Sequence, residues 1–332
     1  MEIEPQRDGD GGSVLKSREP SDALAPTIFH EEWWLNAATA GDYGLIAMAQ
    51  PSGAMARLPY AMRNFGGLRE CGSPPLTRFL GPGIRTVSTG REPSRALEYD
   101  GLMREIFAKL PRCNSFSQTF HAGLQDTIML QAMGFRAEAS FTFEIAPEPE
   151  PVLWDRLRDK TRNLVRAAGR IVQPELIADV DEYVHFYASQ IAAKGERNWY
   201  PNRITQRICD AALQRNRGAI FGVRDAQGQL LAANVCVWDQ ARTYYLMSGR
   251  MPQSPPGVIP LLIWTAVQHS VRRGAIFDFD GVGIVGARLL YTGFGARRSL
   301  RFKISRSDLL WSAFDGGRRL CRPIYSNLTW LS

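Results

Sequence analysis

Histidine is scarce in this chain: four in 332 residues, at 30, 121, 185 and 269. No two of them stand in an H-x-x-x-H pair, so a metal catalyst held on one helix face is not expected. Cysteine is scarce too. The five, at 71, 113, 209, 236 and 321, are odd in number, widely spaced and free of any C-x-x-C pair. That argues against a disulfide framework or a zinc site and fits a reducing cytoplasm. No apolar run is long enough to span a bilayer, and the first residues are too polar for a signal peptide. No long basic patch interleaved with aromatics is present, which argues against a dedicated nucleic-acid-binding module.

What remains is ordinary globular material, 45% hydrophobic and 22% charged, enough for a sizeable core and two domains. The formal net charge of +7 favours anionic partners without choosing among them. Residues 1–25, rich in Glu, Asp, Gly, Ser and Pro, are expected to form a disordered leader. PEPEP at 147–151 is the expected joint between a first unit, 26–146, and a second, 152–318, with 319–332 as a tail. Periodicity predicts helices over 29–38, 94–110, 124–133, 152–169, 182–194 and 202–215. It predicts strands over 43–49, 55–63, 114–120, 138–145, 219–224 and 230–239. Both halves repeat one order of helices and strands.

The stretch from Thr243 to Arg306 organises the rest. A buried strand, Thr243–Ser248, leads into a loop from Gly249 to Gly257. A helix follows from Val258, with apolar residues at Ile259, Leu262, Ile263, Ala266, Val267 and Val271 and with Pro260 in its first turn, where a missing N–H costs nothing. Gly274 closes it. A second strand, Ala275–Phe279, ends on Asp278 and Asp280, predicted to share one face. This layout sets a helix N-terminus beside the end of a central sheet, a place suited to phosphate. The loop is therefore a candidate cofactor segment through Gly249, Arg250, Ser254 and Gly257. Asp278 and Asp280 are candidate proton acceptors, because a carboxylate buried at such an edge needs a reason to be there. Tyr245 and Tyr291 offer phenols, one as a candidate acid and one as a candidate substrate contact. Arg162 and Arg166, four apart on one helix face, suit an anionic acceptor, and Trp199 offers a ring for stacking.

These pieces in this order resemble a known group. YYL-x-SGR, a Pro/Gly loop, a helix with LLIW, G-x-x-FDFDG and then FGA, together with SPPLTRFLGPG at 73–83 and RNLVRAA at 162–168, are similar to FemAB-like (BioF2-like) acyltransferases of the GNAT superfamily. The resemblance implies an α/β fold of two tandem degenerate GNAT-like domains, each a mixed sheet flanked by helices. It implies acyl transfer, with acetyl-CoA or another acyl-CoA as co-substrate and no metal. The implied acceptor is an amine or hydroxyl on a small molecule, a sugar or a cell-envelope (glycan) precursor. Two other readings stay open. One is an aminoacyl-tRNA donor, against which stands the absence of the family's Phe-Lys pair before Phe294-Gly295. The other is a non-catalytic binding module, favoured by the atypical loop RMPQSPPG.

Overall fold

The computed structural model describes residues 22–88, 92–195, 198, 200–281 and 285–320, with backbone only at 92, 285 and 317–320. The first half opens on a 3-10 turn at Ile28–His30 and helix α1 (Glu32–Thr39). Strands β1 (Gly44–Ala49), β2 (Met55–Phe65), β3 (Leu68–Gly72) and β4 (Gly83–Arg85) follow. Then come α2 (Glu92–Ala108), β5 (Ser115–Thr119), α3 (Ile128–Ala132) and β6 (Arg136–Ile145). The second half runs α4 (Glu150–Arg156), α5 (Asp159–Gly169), β7 (Glu175–Leu176), α6 (Val180–Ala193), α7 (Asn202–Gln214), β8 (Gly218–Arg224), β9 (Leu230–Trp238) and β10 (Arg242–Arg250). It continues with α8 (Val258–Arg272), β11 (Ile276–Asp278), α9 (Val285–Gly293), β12 (Arg297–Ser307) and α10 (Leu309–Leu320).

Several expectations need correction. The helix predicted over 152–169 is two helices. Leu157 and Arg158 are extended, Leu157 is buried, and the Arg158 N–H donates to the Gly293 carbonyl instead of continuing a helix. The helix predicted over 124–133 is one turn and a little more, from Ile128, because Asp126 caps it by accepting the Ile128 N–H at 2.9 Å. Of the expected leader, residues 22–25 are packed: Leu24 is buried and its backbone lies against Gly83. Residues 1–21 and 321–332 lie outside the described residues. Strands β3, β4, β7 and β12 and helices α9 and α10 were not foreseen.

All twelve strands join one sheet, in the order β1-β2-β3-β5-β12-β6-β11-β10-β9-β8-β7, with β4 paired to β2. The two halves exchange their last strands. β6 closes the first half in sequence, yet it pairs with β11 through Phe277↔Ile145 and Asp278↔Glu144. β12 closes the second half, yet it pairs with β5 from Lys303↔Thr119 to Ser307↔Ser115. The two exchanged strands also pair with each other, from Arg297↔Glu144 to Ser305↔Arg136.

Strand β9 is buried at all nine positions, which explains its near-continuous apolar sequence, LLAANVCVW. One face of β8–β11 is covered by α5 and α8, with Val165, Ala168, Leu261, Leu262 and Phe277 in the core. The other face is covered by α1, α6 and α7, through Trp34, Tyr183, Phe186 and Ile208, and by Leu76, Phe79 and Leu80 from the loop between β3 and β4. A third cluster packs α2 and α3 on the first half, around Leu102, Ile106, Phe107 and Phe135. Among the described residues no helix is long and apolar enough to cross a membrane.

Candidate active site

The sheet splits where β10 outruns β11. The two strands run parallel, but only at Arg242↔Ile276, Thr243↔Phe277 and Tyr244↔Asp278. β11 ends there, while β10 continues on β9 as far as Arg250↔Ala232. The overhang from Tyr245 to Arg250 therefore has no strand on the β11 side. Tyr245 opposes Cys236 and Met247 opposes Val235, so Leu246 is an extra residue that bulges the strand and sharpens its twist. The end of β11 is built in. Asp280 adopts a left-handed φ of 57° and Gly281 one of 101°, turning the chain away, and the Asp278 carboxylate accepts the Asp280 N–H at 2.8 Å.

A buried charge cluster forms the floor. Asp278 is fully buried: one oxygen accepts the Thr142 hydroxyl at 2.6 Å and the other accepts Arg301 Nη2 at 3.1 Å. Arg301, only 2% exposed, also donates to Glu144 at 2.6 Å and lies over the Phe79 ring at 5.0 Å. Arg242 donates to Glu144 at 2.7 Å. Burial pushes the Glu144 carboxyl up, but Arg242 and Arg301 outweigh it and hold the group below the usual carboxylate range. Two acids and two arginines, each paired, hold the centre of the sheet together, as buried charges must be.

Asp280 is different. Its side chain is 1% exposed, and neither carboxylate oxygen has a hydrogen-bond partner. Among the described residues its one ionic contact is Arg78 Nε at 3.4 Å, from the loop between β3 and β4. Burial pushes its pKa well above the usual value, Arg78 pulls the other way and the Asp278 charge adds to the rise. A carboxyl raised in this way is a stronger proton acceptor than an ordinary carboxylate, the property asked of a general base. Asp278 and Asp280 do not share a strand face as expected, because β11 ends at Asp278 and Asp280 lies in the turn beyond it.

The other expected site residues fall as follows. Gly249 lies on the overhang against α6: a Cβ there would sit 1.9 Å from Gln190 Nε2. Arg250 is exposed at the end of β10 and makes no hydrogen bond or ion pair among the described residues. Ser254 is not free to meet a cofactor, since its hydroxyl closes the loop on the carbonyls of Leu231 at 2.8 Å and Met251 at 2.7 Å. Gly257 caps α8 with φ 85°, so close to α5 that a Cβ would meet the Leu164 carbonyl oxygen at 2.4 Å. Tyr245 is buried beside Phe277 and Phe279, and burial raises its pKa. Tyr291 stacks on Phe279 at 4.1 Å, with burial and the Asp280 charge pushing it up to about 12. Arg162 is paired with Asp159 and lies 3.9 Å from Asp155, and Arg166 lies 5.3 Å from the Trp154 ring centre, so neither points a free charge at the split. Trp199 lies outside the described residues.

Sequence reasoning missed five residues here. Arg78 was in view within SPPLTRFLGPG, but nothing local tied it to Asp280, 202 positions away. Glu144 and Arg301 come together only through the strand exchange. Gln190 and Asn234 flank the overhang on opposite sides. Gln190, on α6, has an unpartnered Oε1, and Asn234, opposite Ser248, has both carboxamide atoms unpartnered at 0% exposure. A polar residue inside LLAANVCVW was the only visible signal for the latter.

The family model described as Acetyltransferase (GNAT) domain matches residues 155–287. No curated protein matches the sequence. Among solved structures, FemX superposes with a TM-score of 0.60 at 12% identity, covering 82% of this chain and 90% of that one. The C-terminal domain of a putative lysylphosphatidylglycerol synthetase from Agrobacterium fabrum gives 0.53 at 13%, covering 85% and 90%. A tandem GNAT protein from the clavulanic acid biosynthesis pathway gives 0.51 at 12%, covering 87% and 90%. At such identities the likeness is one of fold. Residues 155–287 thus match a GNAT acetyltransferase-domain model, and the chain shares its fold with FemX and with a tandem GNAT protein.

Proposed function

We propose that the protein transfers an acyl group, acetyl from CoA in the first instance, to an amine or hydroxyl acceptor such as a sugar or cell-envelope precursor. The observation that carries this is the split itself, with the unbonded carboxyl of Asp280 at its floor. Helices cover both faces of the sheet beside the split. On one side lie α8 and α5 with the Gly249–Gly257 loop; on the other lie α6 and α7. The donor enters from the α8 side, with Arg250 giving a charge-assisted contact to phosphate. The acceptor enters from the α6 side, where Arg78 and Asp280 stand. Asp280 takes the acceptor's proton, the acceptor nitrogen or oxygen bonds to the acyl carbon, the carbon–sulfur bond breaks, and the thiolate leaves to be protonated. Tyr291, stacked on Phe279, is assigned to the acceptor side. Tyr245 and Asp278 support it from the core.

One observation favours an aminoacyl-tRNA donor instead. The α8 N-terminus is poor in donors: Pro255, Pro256 and Pro260 have no N–H, and the Val258 N–H is spent on the Pro255 carbonyl at 3.2 Å. A pyrophosphate finds few amides there. The fold is shared with a putative lysylphosphatidylglycerol synthetase, whose name denotes an aminoacyl product, and the net charge of +7 suits tRNA.

Calorimetric titration with acetyl-CoA, beside an Arg250→Ala control, tests the first reading. Micromolar binding weakened about tenfold by the substitution, some 1.4 kcal/mol, is the expected result. No binding at millimolar acetyl-CoA, with tRNA retained at low salt and released at high salt, overturns it in favour of the second.

A further inference from the structure

Two cysteines that acyl transfer leaves idle meet in the first half. Cys71, on β3, is fully buried, and Cys113, two residues before β5, is half-buried; both are free thiols. They stand 42 positions apart in the sequence, but β3 and β5 run side by side, with Glu70↔Ser115 and Cys71↔Phe116 in register. Asn114 ties down the entry to β5. Its N–H donates to the Arg69 carbonyl at 2.8 Å, and its side-chain oxygen accepts the Arg69 N–H at 2.8 Å. The neighbouring Cys113 packs against the apolar cluster that contains Cys71, and the thiol and the N–H of Cys71 both donate to its sulfur.

The surroundings are cationic. Facing residues of a ladder share one side of the sheet, so Cys71, Phe116 and Arg306 form a row across β3, β5 and β12. Arg306 lies 4.2 Å from the Phe135 ring centre in the same cluster. The bond from Cys71 brings Cys113 down to about 7 against the opposing effect of burial, and Arg306 and Arg69 add to the fall. That same bond, then burial and the Glu70 charge, push Cys71 up. Cys209 and Cys236 are fully buried and raised by burial, which leaves them inert.

We propose that Cys113 is a reversible oxidation site for hydroperoxides, with Cys71 as its resolving thiol. A half-exposed thiolate among cations, beside a second thiol, is the setting in which a cysteine oxidises selectively. The Cys113 sulfur attacks one peroxide oxygen. The O–O bond breaks, hydroxide leaves, and Cys113 becomes a sulfenic acid. The Cys71 sulfur then attacks the Cys113 sulfur and displaces hydroxide, which leaves as water with the Cys71 proton. Two thiols and one hydrogen peroxide give one disulfide and two waters, and a dithiol reverses the change. The bond fastens β3 to the entry of β5 and closes a loop that contains the Arg78 segment and α2. None of this depends on the acyl-transfer reading.

The test treats the folded full chain with hydrogen peroxide, blocks remaining thiols with iodoacetamide and maps the peptides by mass. The expected product is a Cys71–Cys113 link that dithiothreitol removes. It should also form in Cys321→Ser. In Cys71→Ser, residue 113 should instead be trapped by dimedone as a sulfenic acid, and in Cys113→Ser, residue 71 should stay unoxidised. The linked wild type should melt at a higher temperature than the reduced one and lose that gain with dithiothreitol. A link from Cys113 to Cys321, a link that forms only in denaturing urea, or oxidation of Cys71 in Cys113→Ser would each overturn the proposal. Cys113→Ala makes the same comparison if Cys113→Ser does not fold.

Discussion

At the scale of single residues, two acids two positions apart have opposite predicted behaviour. Asp278→Asn takes from buried Arg301 one of its two acids and weakens the contact to the Thr142 hydroxyl, so unfolding should become easier by about 1–3 kcal/mol in urea denaturation. Asp280→Asn removes a carboxyl that has no hydrogen bonds. A carboxyl with a raised folded pKa contributes stability below its ordinary value and loses that contribution as pH rises. At neutral pH the Asp280→Asn variant should therefore be no less stable than the wild type, while its turnover falls by about 10²–10⁴. The acid limb of kcat/KM should lie above the ordinary carboxylate range and vanish in this variant. Equal stability losses in the two variants would remove the distinction drawn between them. The phrase FDFDG made both acids visible in the sequence. It could not separate them, because the difference lies in partners supplied by Thr142, Arg301 and Arg78, all distant in the chain.

Elements respond through their close approaches. The loop that carries Arg78 is clamped by two buried histidines. His30 Nε2–H donates to the Gly81 carbonyl at 3.0 Å, and His121 Nε2–H donates to the Pro82 carbonyl at 3.2 Å. Burial lowers both rings, His30 well below its ordinary value and His121 to about 4. Lowered pKa values give stability that is present above the ordinary histidine value of about 6.5 and lost as pH falls toward 4. For His121 alone this is on the order of 3 kcal/mol. Acid titration followed by Tm should show that loss, and His121→Gln should blunt it. On the proposed donor side, Gly257→Ala combines a left-handed φ with a clash against the Leu164 backbone, so it should destabilise by a few kcal/mol, and under the acetyl-CoA reading it should weaken that ligand at the same time. Strand β10, helix α8 and strand β11 were legible because their periodicities are clean and Gly257 and Gly274 punctuate them. The break at Leu157-Arg158 was not. A buried leucine fits a helix stripe and an extended turn equally well, and the Gly293 carbonyl that receives the Arg158 N–H is 135 residues away.

The molecule as a whole is knitted by its exchanged strands. Composition and the repeat of elements disclosed two similar halves, but periodicity says only that a strand exists, not which neighbour it finds. β6 was visible in the sequence and β12 was not, and their crossing became apparent only from their registers. A chain comprising 22–146 alone lacks β12, leaves the edge of β5 bare and has no β11 beside β6. It should fail to give a cooperative melt, whereas the whole chain should unfold in one transition monitored by circular dichroism. Two separate transitions in the whole chain would show that the halves are independent. The crossing also sets an order of events during synthesis. By the time β5 and β6 have left the ribosome, the strand that belongs between them is still some 160 codons from being made, a delay on the order of ten to thirty seconds at ordinary elongation rates. For that interval the nascent first half carries an open seam. The cell must shield it, or β5 and β6 must pair provisionally and part again, before the last strand arrives to close it.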